Sequence, residues 1–356
     1  MRFAEFLKTV SGKVVLGTDG FVDEVWQVLE TRVDASNYKV MEHMRRFGEI
    51  IVERGSGGIA RELVRKRRIC GGFTSNTGRA VGSLGIDTVL LGNFGKDRID
   101  TAFDELGGFN IISLGEPAVC NIIEFTDGKI MLPNLENLLS FTWHQFGSLL
   151  EDNDCILDKV DVIGLGYWSN MPDFDNILQG LTNLISKKPN PPRMFFDFAN
   201  VTKKTVDDLK QTLKIMGKLG DKVKMTLSLN KHEALLLFEY YKVGGVIDYN
   251  CIESKLTKLR SLIGIDEIIV HTPHFAAIDT AREGSACAAV QNFIENPVRT
   301  AGAGDSFNGG YIVSCLGNLN ISQRLTIANA VSKLYLENGK PPNREQLVQF
   351  FVERGE

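Results

Sequence analysis

Short apolar runs recur along the chain at 14–16, 88–91, 162–165, 194–196, 225–229 and 268–270. Each is nearly continuous rather than alternating, the pattern of a strand covered on both faces, as in a parallel sheet. Longer stretches between them, such as 205–216 and 231–241, carry apolar positions at helical spacing. Strand followed by helix, repeated, predicts an α/β fold with a doubly wound, mainly parallel sheet flanked by helices. A last strand at 286–290 is followed by helical runs at 305–316, 322–337 and 344–352, which should pack beside the sheet.

Two stretches fall outside this alternation. Residues 24–69 interrupt the first strand–helix–strand unit and are rich in charge. Their Met41, Met44, Phe47, Ile50 and Ile51 predict a helix within 38–52. Farther on, Thr126-Asp127-Gly128-Lys129 between apolar runs predicts a hairpin. The expected division is a core of 1–23, 71–110 and 133–356, with a small lid built from 24–70 and 111–132.

Composition narrows the function classes. Of 356 residues 43% are hydrophobic and 24% charged, enough for a sizeable soluble core. A formal net charge of -4 gives no attraction to phosphate backbones or anionic membranes, so neither nucleic acid nor a membrane is an expected partner. The six cysteines show no CxxC pair and no zinc-like spacing. The first residues include Glu5 and lack the apolar core of a signal peptide, and no run approaches a membrane span, so a cytoplasmic setting is expected.

Four segments carry candidate chemistry. In Thr300-Ala301-Gly302-Ala303-Gly304-Asp305 the small residues let backbone approach a ligand, and the apolar period that follows places a helix start at about Asp305. Exposed amides there form an anion site. A carboxylate beside it repels the anion but can take a proton from an attacking hydroxyl, so Asp305 is either a catalytic base or a helix cap. In Gly71-Gly72-Phe73-Thr74-Ser75-Asn76 paired glycines precede a small-residue helix. Asn76 can both donate to and accept from hydroxyls. Asp19 and Asp23 follow the first strand, where open α/β sheets place ligands, and either can accept from vicinal hydroxyls. Asn230 and Glu233 open a helix, positioned either to hold Mg²⁺ or water near phosphates or to form a capping box.

Taken in order, the segments resemble the ribokinase-like (PfkB) family of carbohydrate and nucleoside kinases. Gly71-Gly72 with Asn76 looks like its first signature and Thr300 to Phe307 its second. Gly92-Asn93-Phe94-Gly95-Lys96-Asp97 and the Asn-x-x-Glu of Asn230 and Glu233 are similar too. The resemblance implies ATP-dependent phosphorylation of a hydroxyl on a sugar or sugar-like molecule, with ATP and Mg²⁺ as cofactors. It implies Asp305 as base and the amides of Ala301, Gly302, Ala303 and Gly304 as anion hole. Asp19, Asp23, Gly71, Gly72 and Asn76 would serve the acceptor. Asn230, Thr272 and Asn329 would serve the nucleotide, and Glu233 the metal, through water. The lid would close over the acceptor and is where a homodimer would form.

Arg299 stands where the family usually has aspartate, which leaves a monovalent cation open. Thr272-Pro273-His274-Phe275-Ala276-Ala277 departs from the family's Thr-x-Gly-x-x-Gly, which leaves nucleotide preference open. Two alternatives stand beside the sugar kinase. A nucleoside kinase would use Phe21, Trp26 and Phe73 as an aromatic lining; a catalytically silent ligand-binding homologue would keep only the fold. Arg65-Lys66-Arg67-Arg68 is either a solvated face or a contact for an anionic acceptor. His271 and His274 read as structural or loop residues.

Overall fold

The computed structural model describes residues 2–290 and 293–355. Its main sheet has nine strands in the spatial order Gly284–Ala289, Phe275–Thr280, Glu267–His271, Met225–Asn230, Arg193–Asp197, Val162–Gly166, Lys13–Gly17, Asp87–Gly92 and Asn110–Ser113. The first two are antiparallel to their neighbours and every other pairing is parallel. All six continuous apolar runs read from the sequence are strands here.

Continuity of apolar character follows from burial on both faces. Val15, Leu91, Ile163, Met194 and Phe196 face one core layer under the helices Phe174–Ile185 and Val206–Leu219. Their neighbours Val14, Leu16, Leu90, Val162 and Phe195 face the opposite layer, under Gly72–Ser83, Ala303–Ser314 and Ile321–Asn338. Each fully buried side chain of this size contributes roughly 1.5–3 kcal/mol by leaving water. The chain winds from Lys13–Gly17 outward to Asn110–Ser113, then returns to Val162–Gly166 on the other side of the first strand. That reversal opens a crevice at the carboxyl ends of the strands.

A second sheet projects from this edge. The strand Phe21–Arg32 pairs with Ala118–Glu124 in parallel and with Leu63–Gly71 and Tyr38–Val40 antiparallel, while Lys129–Asn134 completes the expected hairpin. One face packs under the helix Met44–Glu53 through Val28, Met41, Ile50, Ile123 and Phe125. The other gathers Phe21, Val25, Ala118, Cys120 and Ile122 towards Tyr167 of the core.

Several expected boundaries move. The region expected to be one helix within 38–52 begins as the strand Tyr38–Val40. Residues 111–113, assigned to the lid, belong to the main-sheet edge strand Asn110–Ser113, paired with Asp87–Gly92. The lid sheet's second contribution starts at Ala118 and runs to Asn134. Residues 21–23 and Gly71, assigned to the core, pair with each other inside the lid sheet. The strand Phe275–Thr280 is not among the predicted apolar runs; its Ala-Ala-Ile core is short and poor in β-branched residues.

The basic run is neutralised. Arg65 meets Glu24 at 3.3 Å, Arg67 meets Glu124 at 2.8 Å, and Arg68 meets Glu24 at 3.1 Å and Asp100 through both guanidinium nitrogens. Among the described residues no helix is long and apolar enough to cross a membrane.

Candidate active site

Gly302 caps the helix Ala303–Ser314 with φ +93, a left-handed conformation that favours glycine. Asp305 is therefore the third residue of the helix and not its cap. A Cβ on Gly302 would lie 2.7 Å from the Tyr335 hydroxyl, which itself donates to the Ala301 carbonyl; Ser332 Oγ donates to the Ala303 carbonyl at 3.0 Å. The turn is thus tied to the helix Ile321–Asn338. The Ala303 amide is engaged with Thr300 O at 3.2 Å, and the first helical bond runs from Ser306 N to Gly302 O. Of the expected 301–304 donors, Ala303 is therefore occupied within the turn. The amides of Gly304 and Asp305 precede that first bond and face no backbone acceptor, the arrangement that binds anions.

Asp305 accepts from Asn76 Nδ2 at 3.0 Å. Its pKa is raised well above the ordinary value, first by burial and then by Asp197, with Asn76 and Arg79 acting the other way. A carboxylate in this setting is a stronger base than one in water, as proton abstraction from an alcohol requires.

The two glycines of the first signature are explained by carboxylates lying against them. A Cβ on Gly71 would meet Asp23 Oδ2 at 2.6 Å, and one on Gly72 would meet Asp19 Oδ2 at 2.2 Å. The two aspartates then differ. Asp19 is neither solvated nor open to an acceptor: it is fully buried and accepts from the Phe73 and Thr74 amides at 2.8 Å each and from the Thr74 hydroxyl. It fastens the start of the helix Gly72–Ser83, and burial pushes its pKa up to about 6. Asp23 lies on the inner face of the lid sheet beside Gly71. Burial raises its pKa against the pull of Arg299 and Lys129, and it takes no hydrogen bond among the described residues.

Asn230 and Glu233 form a reciprocal capping box, with Glu233 N donating to Asn230 Oδ1 at 3.0 Å and Asn230 N to Glu233 Oε2 at 2.9 Å. Capping and function coincide here, since Glu233 also lines the cleft. Its pKa is pushed up to about 9, by burial first and Asp197 second. Asp197, at the end of its strand, accepts from Asn308 Nδ2 at 2.6 Å. A buried carboxylate raised by burial and by a second carboxylate suits a site where a divalent cation relieves the repulsion.

The cleft has two connected hollows. One, of about 510 Å³, is lined by Asn230, Thr272, Val290, Phe307, Asn329 and Leu336 among others, so it gathers all three residues expected to serve a nucleotide. The other, of about 440 Å³, is lined by Tyr167, Asp197, Glu233 and Asp305. They share Asn230, His232, His271 and Gly304. The Thr272 hydroxyl is occupied in a tight turn: it donates to Phe275 O at 2.8 Å and accepts from Phe275 N at 3.0 Å. Asn329 Nδ2 donates to Ala288 O at 3.2 Å. Residues 272–274 form the turn of the hairpin between Glu267–His271 and Phe275–Thr280.

A scan against family models matches prokaryotic ketohexokinase over residues 4–354. The chain belongs to the prokaryotic ketohexokinase family. It is 26% identical to a ketohexokinase of Haloferax volcanii over 346 residues, 95% of this chain and 90% of that one. Among solved structures, an Arabidopsis thaliana ribokinase complexed with ribose and ATP has TM-score 0.68 at 15% identity, covering 96% of this chain and 99% of that one. Phosphofructokinase-2 of Escherichia coli has TM-score 0.65 at 13% identity, covering 97% and 100%. Membership of the prokaryotic ketohexokinase family makes the chain a carbohydrate kinase of the ribokinase fold, an ATP- and Mg²⁺-dependent phosphotransferase with an alcohol acceptor.

Four cleft residues were not singled out from the sequence as site residues: Asp197, Tyr167, His271 and Arg79. Asp197 had a legible signal, a carboxylate at the carboxyl end of a predicted parallel strand. His271 is the clearest revision. Its ring stacks on Phe307 at 5.0 Å and lies 3.2 Å from where a Cβ on Gly304 would sit, and burial lowers its pKa to about 4, so it is neutral beside the anion hole.

Proposed function

We propose that this kinase phosphorylates an uncharged ketohexose, with Asp305 as the base that takes the proton from the attacking hydroxyl. The observation that carries the reading is Asp305 itself, next to the Gly304 amide in the first turn of its helix, buried and held by Asn76. The Gly304 and Asp305 amides stabilise charge on the transferring phosphoryl group. Asp23 and Asn76 bind acceptor hydroxyls, while Asn230 and Asn329 border the nucleotide. Glu233 holds Mg²⁺, through water; when bound, the cation offsets charge on the phosphates.

A neutral sugar suits the acceptor hollow better than a sugar phosphate, because Asp197, Glu233 and Asp305 all line it and three arginines of the basic run are paired elsewhere. The aromatic lining of a nucleoside site is not supported. Phe73 is fully buried, Trp26 donates to Asn121 at 3.0 Å, and Phe21 packs against Tyr167 in the lid core. The reading includes a cytoplasmic setting and a homodimer through the lid. The dimer is supported by Met131 and Leu132, which are 50% and 55% exposed on the strand Lys129–Asn134.

The test is ADP release with ATP and Mg²⁺ across ketohexoses, aldoses, sugar phosphates and nucleosides, run on the parent and Asp305→Asn. Ketohexose-dependent turnover that falls by about 10²–10⁴-fold in the variant is expected. Preference for a nucleoside or a sugar phosphate overturns the substrate assignment, and unchanged turnover in Asp305→Asn overturns the base.

A further inference from the structure

Among the described residues Asn76 is the one side chain that hydrogen-bonds Asp305, and its amide has two unlike ends. Toward Asp305 it presents Nδ2 at 3.0 Å; on its other side Oδ1 accepts from Arg79 Nη2 at 2.8 Å. Asn76 and Arg79 are three residues apart on the helix Gly72–Ser83 and so share a face. Arg79 is fixed in turn by Glu105 of the short helix Thr101–Leu106, Nη1 to Oε2 at 3.0 Å. Its Nη2 also reaches Cys70 Sγ at 3.6 Å, while its Nε is buried without a partner among the described residues.

A guanidinium can only donate. The end of Asn76 that meets Arg79 must therefore be the carbonyl, and the end that meets Asp305 must be the N–H. Without Arg79 the amide is free to turn over and set its oxygen lone pairs against the carboxylate. We propose that Arg79 is a positioning residue for phosphoryl transfer, which locks the Asn76 amide so that it donates to Asp305 and leaves the opposite carboxylate oxygen for the acceptor hydroxyl. Arg79 touches neither sugar nor nucleotide in this role; it acts through Asn76.

Other charged and titratable groups also face Asp305. Asp197 comes from the strand Arg193–Asp197, Asp19 from the loop after Lys13–Gly17, and the Tyr167 and Tyr335 hydroxyls from opposite sides; Glu233, His232 and His271 lie across the hollow. The acidic groups in this set oppose ionisation of Asp305. Loss of the oriented amide, together with loss of the Arg79 charge that itself favours ionised Asp305, then moves the acid limb of turnover to higher pH, so recovery of kcat in Arg79→Lys is read beside the pH profile.

The inference rests on Asp305 being the base. The experiment is steady-state kinetics of the full chain with D-fructose, ATP and Mg²⁺ as a function of pH. Arg79→Met is expected to lower kcat about 10–100-fold, leave KM for ATP within about twofold, and shift the acid limb upward. Arg79→Lys, which also only donates, should recover most of the loss. Glu105→Gln, which keeps the Arg79–Asn76 bond, should cost less than about threefold. A folded Arg79→Met with parental kcat and pH profile overturns the inference, as does Arg79→Lys as impaired as Arg79→Met. Should Arg79→Met not fold, Arg79→Gln replaces it: its amide can turn either end to Asn76, so a loss of about fivefold or more is expected, and parental kcat overturns the proposal. Turnover surviving in Asp305→Asn removes the base itself, whereas an inactive Asp305→Asn beside an unaffected Arg79→Met removes only this inference.

Discussion

The two halves of the cleft are built on different terms. In the half proposed for the acceptor, polar chemistry resides in side chains: Asp305, Asp197 and Glu233 line its hollow as buried or half-buried carboxylates whose pKa values are all raised, first by burial. In the nucleotide half the polar side chains largely serve the protein. The Thr272 hydroxyl holds a hairpin turn, Asn329 donates to a strand carbonyl, and Val290, Phe307 and Leu336 supply apolar wall. One half recognises by placed functional groups and the other by shape, so substitutions in the two should fail differently.

The sharpest contrast is at Asp305, where loss of the carboxylate should remove turnover while leaving stability unharmed, since a buried carboxylate with raised pKa opposes folding when ionised. Thermal melting beside the activity assay checks both. Next is Asp19, which has the opposite role. Asp19→Ala leaves the Phe73 and Thr74 amides without an acceptor in the interior and should cost about 2–4 kcal/mol, measured by urea unfolding. Asp23→Ala should raise KM for the sugar about 10–100-fold with KM for ATP unchanged. A matching rise for ATP would break the division between the halves. Thr272→Val should be mildest, lowering stability by about 1 kcal/mol through the turn and changing kcat less than about threefold.

A pH titration of stability separates Asp19 from His271. Asp19 holds its proton to about pH 6 when folded, against 3.8 in its ordinary state, so its contribution weakens the fold as pH rises through that window. His271 titrates at about 4 when folded against 6.5 ordinarily, so its contribution strengthens the fold over nearly the same range. The two oppose each other. Relative to the parent, Asp19→Asn should therefore make the change in stability from pH 4 to 6.5 more positive, and His271→Leu more negative.

The sequence was most legible where structure and chemistry share a short segment. The parallel strands appear as unbroken apolar runs, and Gly302 to Asp305 supplies a left-handed cap, free amides and a carboxylate within four residues. Asn230 and Glu233 were equally plain as a capping box, and the same two residues line the cleft. Legibility failed where a role depends on what arrives from far along the chain. Nothing local tells that Asp19 meets residues 73 and 74 while Asp23 does not, because that follows from how the lid strand leaves the sheet. Arg79 sits among small residues and reads as an exposed helix position until Glu105 and Asn76 close around it.

One link between sheet and lid is Thr18, Asp19 and Gly20, between the strands Lys13–Gly17 and Phe21–Arg32, and a Cβ on Gly20 would lie 1.9 Å from the Asn93 carbonyl. Asp19 staples this outgoing link to the return point at residues 73 and 74. Asp23 lies on the lid strand just past this staple, and Asp305 on a helix of the core. On the proposed roles, the staple therefore sets the distance between the residue assigned to the sugar and the residue assigned as base.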